Sequence, residues 1–341
     1  MGRLLDNGDR PTLSYTSTTD EAAVAIIVDE PASAALVRAV QRAEEYGRAA
    51  KAAATQTAYA GDWKRFCGWV EGMGATALPA DPEIVAGYLA HLADEQYGIS
   101  TIERVLSAVR FYHKQAGRDW YRGHPAVAAT LEGIRRDIGT EHIGKTPIGL
   151  ELLAALVDGL SLRDRALLTI GFFGSLRSAN LVAIELGHVN FRPEGVVIHL
   201  PTSKTDQRKQ GRDVAIHYQP NRSVCSVVAL EAYLAASGIT EGRIFPVSRR
   251  YVTRLVKRAV ANPDHEHAGL REVEQCAECA ARSRSFASHS LRRGFATSAA
   301  KDGVAGEAIM RQGGWKSERT MRGYIEYATP FENNATKDLA R

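Results

Sequence analysis

His289-Ser290-Leu291-Arg292-Arg293-Gly294-Phe295 is the stretch on which the reading of this chain turns. On a helix, residues three apart share a face, so His289 and Arg292 point the same way while Leu291, Phe295 and Ala296 pack inward. The pair sets a proton-transfer group beside a fixed cation, an arrangement suited to a single oxyanion. Taken alone it is equally an ordinary polar helix surface. Upstream, Gly174-Ser175-Leu176-Arg177 closes an apolar run that includes Leu167, Leu168, Ile170, Phe172 and Phe173. An arginine beside so apolar a segment needs a partner, because burying an unpaired charge is costly. A structural ion pair would serve, and so would a bound anion. Downstream, Gly313-Gly314-Trp315 is followed nine residues later by Tyr324. Tyrosine forms covalent intermediates as a nucleophile, and it also packs as an amphipathic ring.

Working outward, Gly195 to Leu200 and Asp213 to His217 are rich in Val and Ile and predict a hairpin. Its long basic tip carries Ser203-Lys204-Thr205-Asp206, then Arg208 and Lys209. A lysine there reaches a backbone phosphate or donates a proton, or is simply solvated. Elsewhere the periodicity is helical. Asp81-Pro82 opens a helix with Val85, Tyr88, Leu89 and Leu92 inward, and Ser100 is the expected N-cap of the helix 101–115. The expected fold class is mainly α, in two domains: a helical one and a mostly α one holding a small antiparallel sheet. Residues 1–30 are expected to be a mobile tail, 31–139 the helical domain, 140–148 a linker and 149–341 the second domain. The stretch 262–287 is expected to be a loop.

Composition sets the limits. The 341 residues, 45% of them hydrophobic, suffice for two cored domains and exclude a disordered or fibrous chain. No apolar run reaches the ~18 to 20 residues of a membrane span, and residues 1–10 lack the apolar run of a signal peptide. Four cysteines are too few and too scattered for a disulfide framework, so a cytoplasmic protein is expected. The net charge is only +4, yet residues 1–30 hold two basic and six acidic residues, which leaves 41 basic against 33 acidic on the remainder. That excess points to a nucleic-acid partner.

Together, in this order, the four motifs resemble the tyrosine recombinase (phage integrase) family over about residues 32–341. The family pattern of arginine, hairpin lysine, H-x-x-R, His or Trp, then tyrosine falls on Arg177, Lys204, His289, Arg292, Trp315 and Tyr324. Trp315, where Xer-type members usually carry histidine, makes the motif look more like the Cre type. Asn180 departs from the family's usual acidic residue, so a carboxylate at that position cannot orient Arg177. The resemblance implies a site-specific DNA recombinase acting on short inverted repeats through a 3′-phosphotyrosine at Tyr324, as a tetramer on two DNA sites. It implies a two-domain DNA clamp, with 31–139 as the helical core-binding domain and 149–341 as the catalytic domain, and neither metal nor other cofactor. A topoisomerase IB-like enzyme and an inactive DNA-binding relative are the alternatives. The resemblance further implies that residues 331–340 dock in a neighbouring subunit.

Arg250, Arg254, Lys257 and Arg258 crowd one side of a helix whose other side carries Val252, Leu255 and Val256. Like charges so spaced repel unless a polyanion is near. This helix is expected in the major groove, with Arg104, Arg110 and Lys114 playing the corresponding part in the first domain. His265-Glu266-His267 and Cys276-Ala277-Glu278-Cys279 carry the residue types of a tetrahedral zinc site. Their eight-residue gap is no standard spacing, so no metal ligand is assigned.

Overall fold

The computed structural model describes residues 14–16, 25–27, 34–49, 51–118, 123–140, 144–201, 211–261, 265, 270–325 and 336. The chain divides into two units, Met1–His142 and Ile143–Arg341. Lys204, Arg208, Lys209, His267, Tyr327 and residues 331–335 and 337–341 lie outside the described residues.

The first unit begins with β1 (Ser14–Thr16) paired antiparallel to β2 (Ala25–Ile27). Tyr15, Thr16, Ile26 and Ile27 are strand formers, and these two short strands lie within the segment 1–30 expected to be a mobile tail. Five helices follow: α1 (Ala34–Ala49), α2 (Ala53–Gly72), α3 (Pro82–Asp94), α4 (Ile99–Gln115) and α5 (Pro125–Ile138). Asp81 caps α3 by accepting the Glu83 backbone N–H at 3.0 Å, and Pro82 fills the first position, where no donor is missed. Helix α4 begins earlier than expected. The backbone N–H of Tyr97 closes α3 on Leu92, Gly98 is extended and becomes the N-cap, and Ser100 lies inside the first turn.

Phe66, Val70, Val85, Tyr88, Leu89, Ile102, Val105 and Val109 make the core of this unit. Truncating any one of the large aliphatic or aromatic members to alanine costs about 2–5 kcal/mol. Tyr112 of α4 is half-buried and stacks on Trp63 at 4.8 Å between ring centres. His113 takes a buried place instead.

The second unit is built on α7 (Leu162–Phe173), a buried helix packed by α9 (Ser226–Ser237) and α13 (His289–Lys301). Around it lie α6 (Leu150–Val157), the single turn α8 (Ser178–Leu181) and α10 (Arg249–Ala259). The expected hairpin is present as β4 (Gly195–Leu200) and β5 (Arg212–His217), and β3 (Val189–Arg192) extends it to an antiparallel sheet of order β3-β4-β5. The exposed Asn190, Phe191 and Arg192 give β3 no alternating pattern, which is why the sequence does not announce it.

The expectation of a loop at 262–287 is corrected. Two short helices stand there, α11 (Leu270–Gln275) and α12 (Ala277–Arg284). They are followed by α13, α14 (Gly306–Gly313) and α15 (Glu318–Arg322). Among the described residues, no helix is long and apolar enough to cross a membrane.

Candidate active site

Helix α7 ends in the turn Gly174-Ser175-Leu176-Arg177. Ser175 is buried and held at φ +48°, a left-handed conformation that non-glycine residues adopt only under constraint. The constraint is visible: the Ser175 carbonyl turns inward and accepts a hydrogen bond from Arg292 Nη1. Arg177 follows at the N-cap of α8, half-buried.

Arg292 lies one turn into α13 and is the largest fully buried side chain among the described residues. Its Nη1 also donates to the Gly313 carbonyl at 2.6 Å. Nε and Nη2 meet no acceptor in hydrogen-bonding geometry. Burial, then the nearby charge of Arg177, pulls the Arg292 pKa down to about 10, so it remains a cation at neutral pH. Gly294 makes this depth accessible: a Cβ there would run into the Ile148 carbonyl oxygen, whose own residue donates its N–H to Ser290 O at 3.0 Å.

The Gly313-Gly314 pair has a similar steric reason. Helix α14 stops at Gly314 in the left-handed region (φ +65°), and Trp315 folds back so that a Cβ on Gly313 would overlap its ring. The indole then covers Arg292, with Cζ 3.9 Å from the ring centre. Its Nε1 is buried and meets no acceptor. Tyr324, just past α15, packs against Trp315 at 5.0 Å between ring centres. The Tyr324 hydroxyl lies 3.1 Å from Nε2 of His289, the first residue of α13.

Arg212, the first residue of β5, belongs to this site and was not singled out from the sequence, where it reads as the end of the basic hairpin tip. Its Nη1 donates to the carbonyls of Gln312 at 3.0 Å and Arg311 at 3.3 Å, fixing the end of α14 just before Gly313. Burial, then the charge of Arg177, lowers its pKa. Among the described residues, none of Arg177, Arg212 and Arg292 forms an ion pair with a carboxylate. Unpaired buried charge is expensive. Three guanidinium groups, an indole N–H and a His–Tyr pair facing one another have the donor set for a tetrahedral oxyanion.

On α10 the expected division holds: Val252, Leu255 and Val256 are buried, Arg250, Arg254 and Arg258 exposed, and Lys257 half-buried. Tyr251 anchors the helix, its hydroxyl bonding the buried Asp164 carboxylate at 2.9 and 3.0 Å. In the first unit Arg110 is half-buried and Lys114 exposed. Arg104 is committed elsewhere. Its fork grips the buried Asp62, Nε to Oδ2 at 2.8 Å and Nη2 to Oδ1 at 3.1 Å, and this hydrogen bonding raises its pKa. Away from these elements, His265, Cys276 and Cys279 come together with ligand atoms within 4.8 Å of one another.

The phage integrase family model matches residues 150–329, and a phage integrase N-terminal SAM-like domain matches 45–119. The chain is 38% identical over 299 residues to an integrase/recombinase xerD homolog of Selenomonas ruminantium, covering 84% of this chain and 85% of that protein. It is 23% identical over 272 residues to the recombinase cre of Escherichia phage P1, covering 73% and 76%. Among solved structures, it is similar in fold to the Tn1549 transposon integrase in complex with transposon right end DNA. There the TM-score is 0.57 at 14% identity, over 86% of this chain and 96% of that one. The XerH site-specific recombinase bound to difH substrate is similar with a TM-score of 0.54 at 15% identity, over 83% and 79%.

Proposed function

This chain belongs to the phage integrase family, and on that premise we propose that it is a site-specific DNA recombinase whose nucleophile is Tyr324. The observation that carries the reading is the Tyr324 hydroxyl, 3.1 Å from His289 Nε2 and beside the buried Arg292. His289 draws the proton from the hydroxyl as the phenolic oxygen attacks the scissile phosphorus. One P–O bond forms to tyrosine and one breaks to the deoxyribose 5′ oxygen, leaving a 3′-phosphotyrosine. Lys204 gives the departing oxygen its proton, as the family resemblance implies. Arg292 Nε and Nη2, Arg177 and the Trp315 indole N–H hold the non-bridging oxygens, where charge grows in the transition state. Rejoining runs the same steps backwards with a new 5′-hydroxyl, and the phosphodiester energy is kept in the protein bond throughout.

The DNA partner is read by α10, with Arg254 at its exposed centre and Arg250, Lys257 and Arg258 beside it, and by Arg110 and Lys114 of the first unit. Arg208 and Lys209 neutralise phosphates near the hairpin tip. Both units bind a short inverted-repeat site, in the cytoplasm. Exchange of two duplexes needs four cleavages, so one nucleophile per chain implies a tetramer.

Incubating the purified protein with a supercoiled plasmid carrying two copies of its own flanking DNA tests this. Recombinant circles are the expected product. Topoisomer ladders without exchange would make it a topoisomerase, and band shifts alone a binding protein.

A further inference from the structure

We propose that His265, Cys276 and Cys279 bind one zinc ion, which pins the segment between α10 and α13. His265 Nδ1 lies 3.4 Å from Cys276 Sγ and 3.3 Å from Cys279 Sγ. A ring nitrogen has a single in-plane proton or lone pair, so it makes one good hydrogen bond to a thiol, not two. Ligands sharing a metal have no such restriction. With Zn–S about 2.3 Å and Zn–N about 2.0–2.1 Å in a tetrahedron, the nitrogen–sulfur edge is roughly 3.5 Å. Both observed separations are close to that edge. Two sulfurs and an imidazole are a soft donor set, which suits zinc and disfavours magnesium or calcium.

The surroundings point the same way. The other ring nitrogen of His265, Nε2, is 3.6 Å from the Glu278 carboxylate. Metal-bound imidazoles usually turn their far N–H toward such a carboxylate, which fixes the tautomer. Cys279 is fully buried, and among the described residues its small cluster holds Ala261, Val273 and the partly buried Cys276. Helices of six and eight residues gain little from so small a cluster, and isolated helices shorter than ~12 to 15 residues are marginal in water. A metal tie supplies what the core lacks.

The placement gives the ion a consequence. Ser285, at the end of α12, accepts the Thr146 N–H at 2.9 Å, and Arg284 accepts from Lys145 Nζ at 2.8 Å. Ser288, just before His289, pairs with Thr253 of α10 at 3.2 Å. The pinned segment therefore runs from the basic helix to the residue that faces Tyr324.

The test uses the full chain purified without chelator or added metal. Mass spectrometry of the metal content should find about one zinc per chain, as expected of a single structural site. Exchange into cobalt(II) should give thiolate charge-transfer absorption with tetrahedral d–d bands, and Cys276→Ser with Cys279→Ser should remove both signals. Should that double variant fold poorly, the unmodified chain still decides: iodoacetamide labelling of Cys276 should rise roughly ten-fold when a strong chelator is added, as a metal-held thiolate is released. A chain that carries no zinc and gives no cobalt charge transfer would overturn the proposal. So would zinc retained in the double variant, labelling indifferent to chelator, or a Cys276–Cys279 disulfide in the native protein. None of these readouts depends on recombination, so they separate this proposal from the proposed activity.

Discussion

The guanidinium carbon of Arg292 sits 3.9 Å from the centre of the Trp315 ring, so the only fully buried arginine of the described residues is roofed by an aromatic face. A desolvated cation on an aromatic ring is stabilised by about 2 kcal/mol, roughly thirty-fold in a rate if the contact matters in the transition state. Trp315→Ala should therefore slow single-turnover DNA cleavage by about that factor, and Trp315→Phe, which keeps a ring but loses the N–H, by less. Cleavage by Trp315→Ala at the unmodified rate would separate the roof from the chemistry.

Arg212 should act through Trp315. Its bonds to the Arg311 and Gln312 carbonyls hold the end of α14, immediately before Gly313 and the folded-back indole. Losing hydrogen bonds from a charged group costs about 1.5–3 kcal/mol. Arg212→Ala should lower the cleavage rate roughly ten-fold or more while half-site affinity changes less than about two-fold. Equal losses in both would mean that Arg212 contacts DNA in the ground state instead.

In the first unit, Arg104 should prove structural. Asp62 is 1% exposed and accepts from both Arg104 and Arg65. Both arginines reach solvent, so the pair contributes less than a fully buried one, whose disruption costs about 3–5 kcal/mol. Arg104→Ala should lower the denaturation midpoint without changing base preference, whereas Arg254→Ala should change base preference and leave the midpoint near that of the parent. Selection of preferred half-sites from a random pool reads the first property, and urea titration the second.

His113 should make this unit acid-sensitive. Its ring bridges the Val109 carbonyl at 2.8 Å and the Ala80 N–H at 2.9 Å, which requires a neutral imidazole with Nε2 as acceptor. Burial lowers its pKa below the ordinary histidine value. Because the folded form resists protonation, its contribution is complete above the unfolded pKa of about 6.5 and is lost as the pH falls through the lower folded value. The urea midpoint followed by tryptophan fluorescence should drop below pH 6.5, with a shallower drop in His113→Gln. Parallel pH profiles for the two proteins would remove His113 from the explanation.

The spacing of the proposed site was legible because its motifs are local in the sequence. His289 and Arg292 share a helix face, and Trp315 and Tyr324 stand at a fixed separation beyond a glycine pair. Arg212 was not, since nothing in its neighbourhood on the chain marks it: its place comes from β5 running beside the end of α14. The start of α3 was readable from Asp81-Pro82, whereas α4 begins just after Gly98 because the bond from the Tyr97 N–H to Leu92 closes the preceding helix and leaves that glycine extended. Helices α11 and α12 carry too few apolar positions to show a period. The inward ring of His113 gave no signal either, because its partners, Ala80 and Val109, offer only backbone groups.

The central claim is that Tyr324 is the attacking group, with Tyr327 the only other tyrosine close by in sequence. Trapping the protein on a nicked suicide substrate, digesting it and sequencing the DNA-linked peptide by mass spectrometry tests this most directly. The account predicts a nucleotide on Tyr324, absent in Tyr324→Phe although that variant still binds the half-site. A linked nucleotide on Tyr327, or an adduct that survives Tyr324→Phe, would contradict it.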